Sequence, residues 1–128
     1  MSVDNKSGRV FDLEERTFRY AKSVRLFLST LKSNESNPED KKQVIRSSGS
    51  VAANYLEANE AISRRDFALR IKICKKEAKE SYLWLRLMVS EDPAIDQERK
   101  RLIQETVELG KIFGAILGKM NISPVAKQ

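Results

Sequence analysis

Apolar residues return along this chain at steps of three and four. Val10, Leu13, Thr17, Tyr20, Val24, Phe27 and Leu31 follow that alternation, and Ala21 and Leu28 widen the stripe. The spacing gives one core-facing side to a helix of about 3.6 residues per turn. Arg16, Arg19, Lys22 and Arg25 fall largely on its other sides. The polar run Ser33-Asn34-Glu35-Ser36 then breaks the pattern. A second helix starts at Asn37-Pro38-Glu39-Asp40. Asn caps free N–H groups, Pro needs no N–H partner at a first helical position, and the two acids sit beside the positive end of the helix dipole. Val44, Ser48, Val51, Ala52, Tyr55 and Ile62 share its inner face. Six of the seven residues from Ser47 to Ala53 are small, which lets another helix approach closely and leaves the large side chains to that partner.

Ser63 and Asp66 form a capping pair with Asp in place of the usual Glu or Gln. The third helix, over 64–90, carries Phe67, Ile71, Cys74, Ala78, Ser81, Leu85 and Met88 at heptad positions. Asp92-Pro93 ends the connection and opens a fourth helix. Leu102, Ile103, Val107, Ile112, Phe113, Ile116, Leu117 and Met120 carry this helix to about Asn121. Residues 1–8 and 122–128 read as loose tails. Short connections between long helices favour antiparallel neighbours, so the predicted fold is all-α, an up-down antiparallel four-helix bundle forming one domain over 1–128.

Composition narrows the chemistry. The 128 residues include no His and one Cys. Ser-His and Cys-His nucleophiles, His-ligated metals and an internal disulfide are therefore absent. Glu57 and Glu60, and Glu77 and Glu80, are carboxylate pairs three apart, but a bundle di-iron site also needs Glu-x-x-His. They read as surface charge, and no metal, cofactor or catalytic residue is expected. Cys74 sits at a core heptad position as a small apolar filler. The segment MSVDNKSGRVF lacks an apolar signal core, and no run reaches the ~20 apolar residues of a membrane span. A cytoplasmic protein with no membrane partner is the expectation.

Charge changes the picture at the third helix. The formal net charge is +6. Eight basic residues and three acids lie between Ser63 and Val89, so most of the excess is there. Arg65, Lys72, Lys76, Lys79 and Arg86 fall within about 80° of arc opposite the core stripe. Such a stripe is the electrostatic footprint of a phosphate-backbone binder, although a charged outer face also serves solubility alone. Leu69, Leu83 and Leu87 lie on or beside the stripe, and Trp84 and Ile73 flank it. A helix apolar on two sides has two sets of neighbours, which points to an oligomer interface at these leucines. Gly110, Gly114 and Gly118, spaced by four on the fourth helix, permit close packing within the subunit or between subunits.

The run from Gln43 to Ala58, QVIRSSGSVAANYLEA, resembles a segment of the bacterial four-helix-bundle proteins encoded in intervening sequences of 23S ribosomal RNA genes. Ser63-Arg64-Arg65-Asp66-Phe67 matches that family's Ser-x-x-(acid)-Phe helix start, and the stretch from Lys72 to Leu87 resembles its Lys-Glu-Ala-x-Glu core and Trp-Leu-Arg-Leu ending. The good match covers about residues 40–88, and Ala58 stands where many members have Gly. The resemblance implies an up-down bundle assembled as a ring-like homopentamer. It implies RNA or DNA binding and no established enzymatic activity. The family is similar in fold to retroelement accessory proteins, which form basic pentameric barrels. Two functions follow, a homo-oligomeric nucleic-acid-binding protein or an oligomeric scaffold for a protein partner.

Overall fold

Capping chemistry sets where the helices begin. A computed structural model describes residues 13–121 and contains α1 (Leu13–Thr30), α2 (Pro38–Asn59), α3 (Arg64–Arg86) and α4 (Pro93–Asn121). The Asn37 side chain accepts from the Glu39 N–H at 2.7 Å, and Ser63 Oγ accepts from the Asp66 N–H at 3.0 Å. Asp92 does the same for Ala94 at 2.9 Å, so all three polar starts cap as the sequence predicts. The α3 helix stops earlier than its pattern, at Arg86, where the Leu87 N–H bonds back to Leu83 and Trp84. Val10 and the two tails lie outside the described residues.

Neighbours in sequence are neighbours in space. The helices pack as α1–α2, α2–α3, α3–α4 and α4–α1, leaving α2 and α4 on opposite corners. Asn59 at the end of α2 donates to Glu14 at the start of α1, and Arg64 at the start of α3 donates to the Met120 carbonyl near the end of α4. At the other end Glu35 ties two connections together, accepting from Ser90 Oγ at 2.9 Å and the Glu91 N–H at 3.0 Å. Those contacts define an antiparallel up-down bundle.

Every expected inner residue of α1 from Leu13 to Leu31 is buried, joined by Val44, Val51, Ile71, Leu85 and Met88. In α4 the innermost positions are Leu102, Thr106, Leu109 and Phe113. The apolar pattern does not select Thr106 and Leu109, whereas Ile103, Ile112, Ile116 and Leu117, which it does select, flank the core half-buried. The α4 helix carries more apolar residues than one face holds, so sequence alone does not choose its inner row. Ile62 corrects the α2 pattern: the helix ends at Asn59, leaving this side chain in the connection at 96% exposure.

The small run of α2 divides between two sides. Ser47 and Ser48 face inward, while Ala53 is exposed. At Gly49 a Cβ would lie 3.1 Å from the Arg25 guanidinium, which itself donates to the Ile45 carbonyl. The glycine lets that cation lie across α2. Inside the bundle, Ser47 and Ser81 hydroxyls meet at 2.7 Å and Tyr20 and Thr106 hydroxyls at 2.6 Å. Thr106 gives its own proton to the Leu102 carbonyl, so Tyr20 is the donor in its pair. Each helix thus supplies one member of these two buried hydroxyl pairs.

Candidate nucleic-acid interface

The five cations read from the sequence share the outer face of α3. Arg65, Lys72, Lys76, Lys79 and Arg86 are all exposed, and among the described residues none belongs to an ion pair. Two of the three acids of the same helix, Glu77 and Glu80, are otherwise engaged. Arg46 of α2 pairs with Glu77 at 3.2 Å and also with Glu80, whose second contact is the Trp84 indole N–H at 3.2 Å. The Arg46 guanidinium holds the Glu80 carboxyl below the usual glutamate range. The carboxylate pair Glu77/Glu80 therefore serves an interhelical clamp. Two further cations of α3 are used by the fold, since Arg70 donates to Asn54 and Arg64 to Met120. Arg86 lies over the Tyr82 ring at 5.1 Å.

The structure brings the expected interface leucines onto this same face. Leu69, Leu83 and Leu87 are exposed at 53%, 46% and 54%. Polymer phosphates and a second subunit would therefore compete for one surface. Cys74 is fully buried, with its thiol directed to the Val51 carbonyl at 3.5 Å. Burial pushes this thiol up to about 12, consistent with the filler role read from its position.

Sequence reasoning missed a second surface beside the stripe. An open groove of about 400 Å³ runs between α3 and α4. Ala78, Val107, Gly110 and Gly114 form its floor, and Lys75, Lys79 and Lys111 stand on its walls. The glycines do not serve packing within the subunit: nothing lies within 4 Å of a Cβ built at Gly110 or Gly118, and only the Lys75 side chain approaches one at Gly114, at 3.8 Å. The Gly row was the available signal. Its pairing with Lys75 depends on how α3 and α4 are rotated against each other, which one helix's pattern does not contain.

The four helices and the exposed cations on one face of α3 define a small all-α bundle protein. The chain belongs to the 23S rRNA-intervening sequence protein family, whose profile matches residues 11–115. It is also similar to a protein of unknown function from the S23 ribosomal protein family of Bacteroides thetaiotaomicron VPI-5482, known from a crystal structure. That similarity has a TM-score of 0.68 at 27% identity and covers 81% of this chain and 96% of the other. No curated protein matches the chain. Among the described residues, no helix is long and apolar enough to cross a membrane.

Proposed function

We propose that the protein is a non-enzymatic homo-oligomer, pentameric as the family resemblance implies, that binds RNA or DNA on the outer face of α3. The observation that carries this reading is the division of charge on that helix. Its acids Glu77 and Glu80 are clamped by Arg46, while Arg65, Lys72, Lys76, Lys79 and Arg86 face water without a described ion-pair partner. Such a face neutralises phosphates and releases counterions, a sequence-independent source of affinity. Repetition of the stripe around an assembly would raise affinity through avidity.

The test is binding of a structured RNA and a DNA duplex across a salt series. The expected log–log slope is near −0.9 per duplex phosphate contact. A variant combining Lys72→Glu and Lys76→Glu, both outside the α3–α4 groove, should lose binding at about 100 mM salt while keeping its helical content and assembly size. Binding as tight as the parent's in that intact variant would overturn the reading. The exposed leucines among the cations would then mark the face as a protein-docking surface.

A further inference from the structure

The groove between α3 and α4 is concave, apolar at its floor and cationic at its walls. Lys75, Lys79 and Lys111 are exposed, and none enters a described ion pair. From Lys75 to Tyr82 the groove spans two helical turns, about 10 Å. It is open along its length, which suits a ridge of protein better than an enclosed small molecule. A helical glycine costs roughly 1 kcal/mol relative to alanine. The Gly110 site receives nothing from its own subunit in return.

The same chain carries a surface of the opposite form. The C-terminal half of α2 presents Ala53 and Leu56 to solvent, with Glu57 and Glu60 beside them. Ala53, Leu56 and Glu57 fall within about 100° of arc, and Glu60 follows at the C-cap. Leu56 is 49% exposed, and neither acid enters a described ion pair. This ridge is convex, apolar and acidic where the groove is concave, apolar and basic. Contact of α3 with its own copy at Leu69, Leu83 and Leu87 would instead bring cations against cations.

We propose that the α3–α4 groove receives the α2 ridge of a second copy of this chain, with Leu56 between the lysines and Glu57 and Glu60 pairing with Lys75 and Lys111. The proposal rests on the homo-oligomeric part of the proposed function and names its surfaces. Because α2 and α4 occupy opposite corners of the bundle, one subunit can donate its ridge and accept another's at once. Such a head-to-tail contact closes into a ring when its rotation permits. It also leaves Lys72, Lys76 and Arg86 uncovered for phosphates.

The experiment is light scattering of nucleic-acid-free protein at micromolar concentration. Gly110→Leu has open space in its own subunit, so its helical circular dichroism should match the parent's while its side chain fills the groove. Its mass should fall to that of a monomer. Glu57→Lys with Glu60→Lys should give the same loss, and adding Lys75→Glu and Lys111→Glu in one chain should restore the parent's mass. Retention of the parent's mass in the folded Gly110→Leu variant overturns the groove assignment and leaves the oligomeric reading standing. Failure of the fourfold charge exchange to restore assembly overturns it as well, and decides the matter should Gly110→Leu unfold. A monomeric parent overturns both. A parent that assembles but binds no RNA or DNA sinks only the nucleic-acid reading.

Discussion

The buried hydroxyls and the outer cations are two sets of polar groups treated in opposite ways by one fold. Tyr20, Ser47, Ser81 and Thr106 each come from a different helix and meet in pairs at 2.6 and 2.7 Å. An unpartnered hydroxyl there would cost about 1–3 kcal/mol, so the bundle satisfies every one. Arg65, Lys72, Lys76, Lys79 and Arg86 come from one helix and are exposed, and only Arg86 rests on a ring of its own subunit. The interior groups therefore fix the register of four helices, whereas the outer ones are available to something else. Substitutions should separate the two sets, with interior changes moving stability and outer changes moving binding.

The largest effect should come from the core around the hydroxyls. Phe113 is fully buried and packs near the Tyr55 ring, with centroids 6.5 Å apart. Phe113→Ala should cost about 3–5 kcal/mol in urea unfolding. At a urea concentration where the variant remains native, its RNA affinity should equal the parent's under the same conditions. A loss of affinity in the folded variant would show that core and outer face are not separable.

How much of this division was legible in sequence depends on the range of the interaction that sets it. Asn37-Pro38, Ser63-x-x-Asp66 and Asp92-Pro93 act within one helical turn, and all three caps form where the residues indicate. The five-cation arc is also a one-helix property, and its members emerge exposed. Arg46 closing on Glu77 and Glu80 joins positions 31 and 34 apart, and no period in either helix encodes it. The α3–α4 groove is less legible again, because its two walls belong to helices whose relative rotation is a packing outcome. In α4 the surplus of apolar residues hid the inward turn of Thr106 and Leu109, which packing against α1 and α3 resolves.

Alkaline pH should weaken the interior selectively. Burial pushes the Cys74 thiol from an ordinary 9.0 to about 12, and the Tyr20 phenol from 10.0 to about 12. In the unfolded chain both release their protons earlier, so above pH 9 the unfolded state binds fewer protons than the native one. Stability is intact below that pH and falls as pH rises towards 12, at up to about 1.4 kcal/mol per pH unit for each group. Chemical denaturation at pH 8, 9 and 10 measures the slope. Cys74→Ala should flatten it between pH 9 and 10. At neutral pH the same substitution should cost only about 1–2 kcal/mol, less than a buried Leu→Ala change, and leave assembly and binding intact.

The smallest effect should have the opposite sign. Lys72 and Lys76, and Lys75 and Lys79, are like charges four apart on α3, and Lys76 and Lys79 are three apart. Each such pair destabilises a helix by about 0.2–0.5 kcal/mol at low salt. A variant combining Lys72→Ala, Lys76→Ala and Lys79→Ala removes these repulsions, and alanine has the highest helix propensity. Thermal unfolding should therefore show the variant as stable as the parent or more so, by about 0.5–1 kcal/mol. The gain should shrink as salt screens the parent's repulsion. Its salt-series slope for RNA should fall by about one for each lysine removed. A variant that loses stability by more than about 1 kcal/mol would place these lysines among the groups that build the subunit, since neutral surface substitutions stay within about 0.5 kcal/mol. A variant that gains stability while losing affinity would show α3 holding its cations at a cost to the fold for the sake of a partner.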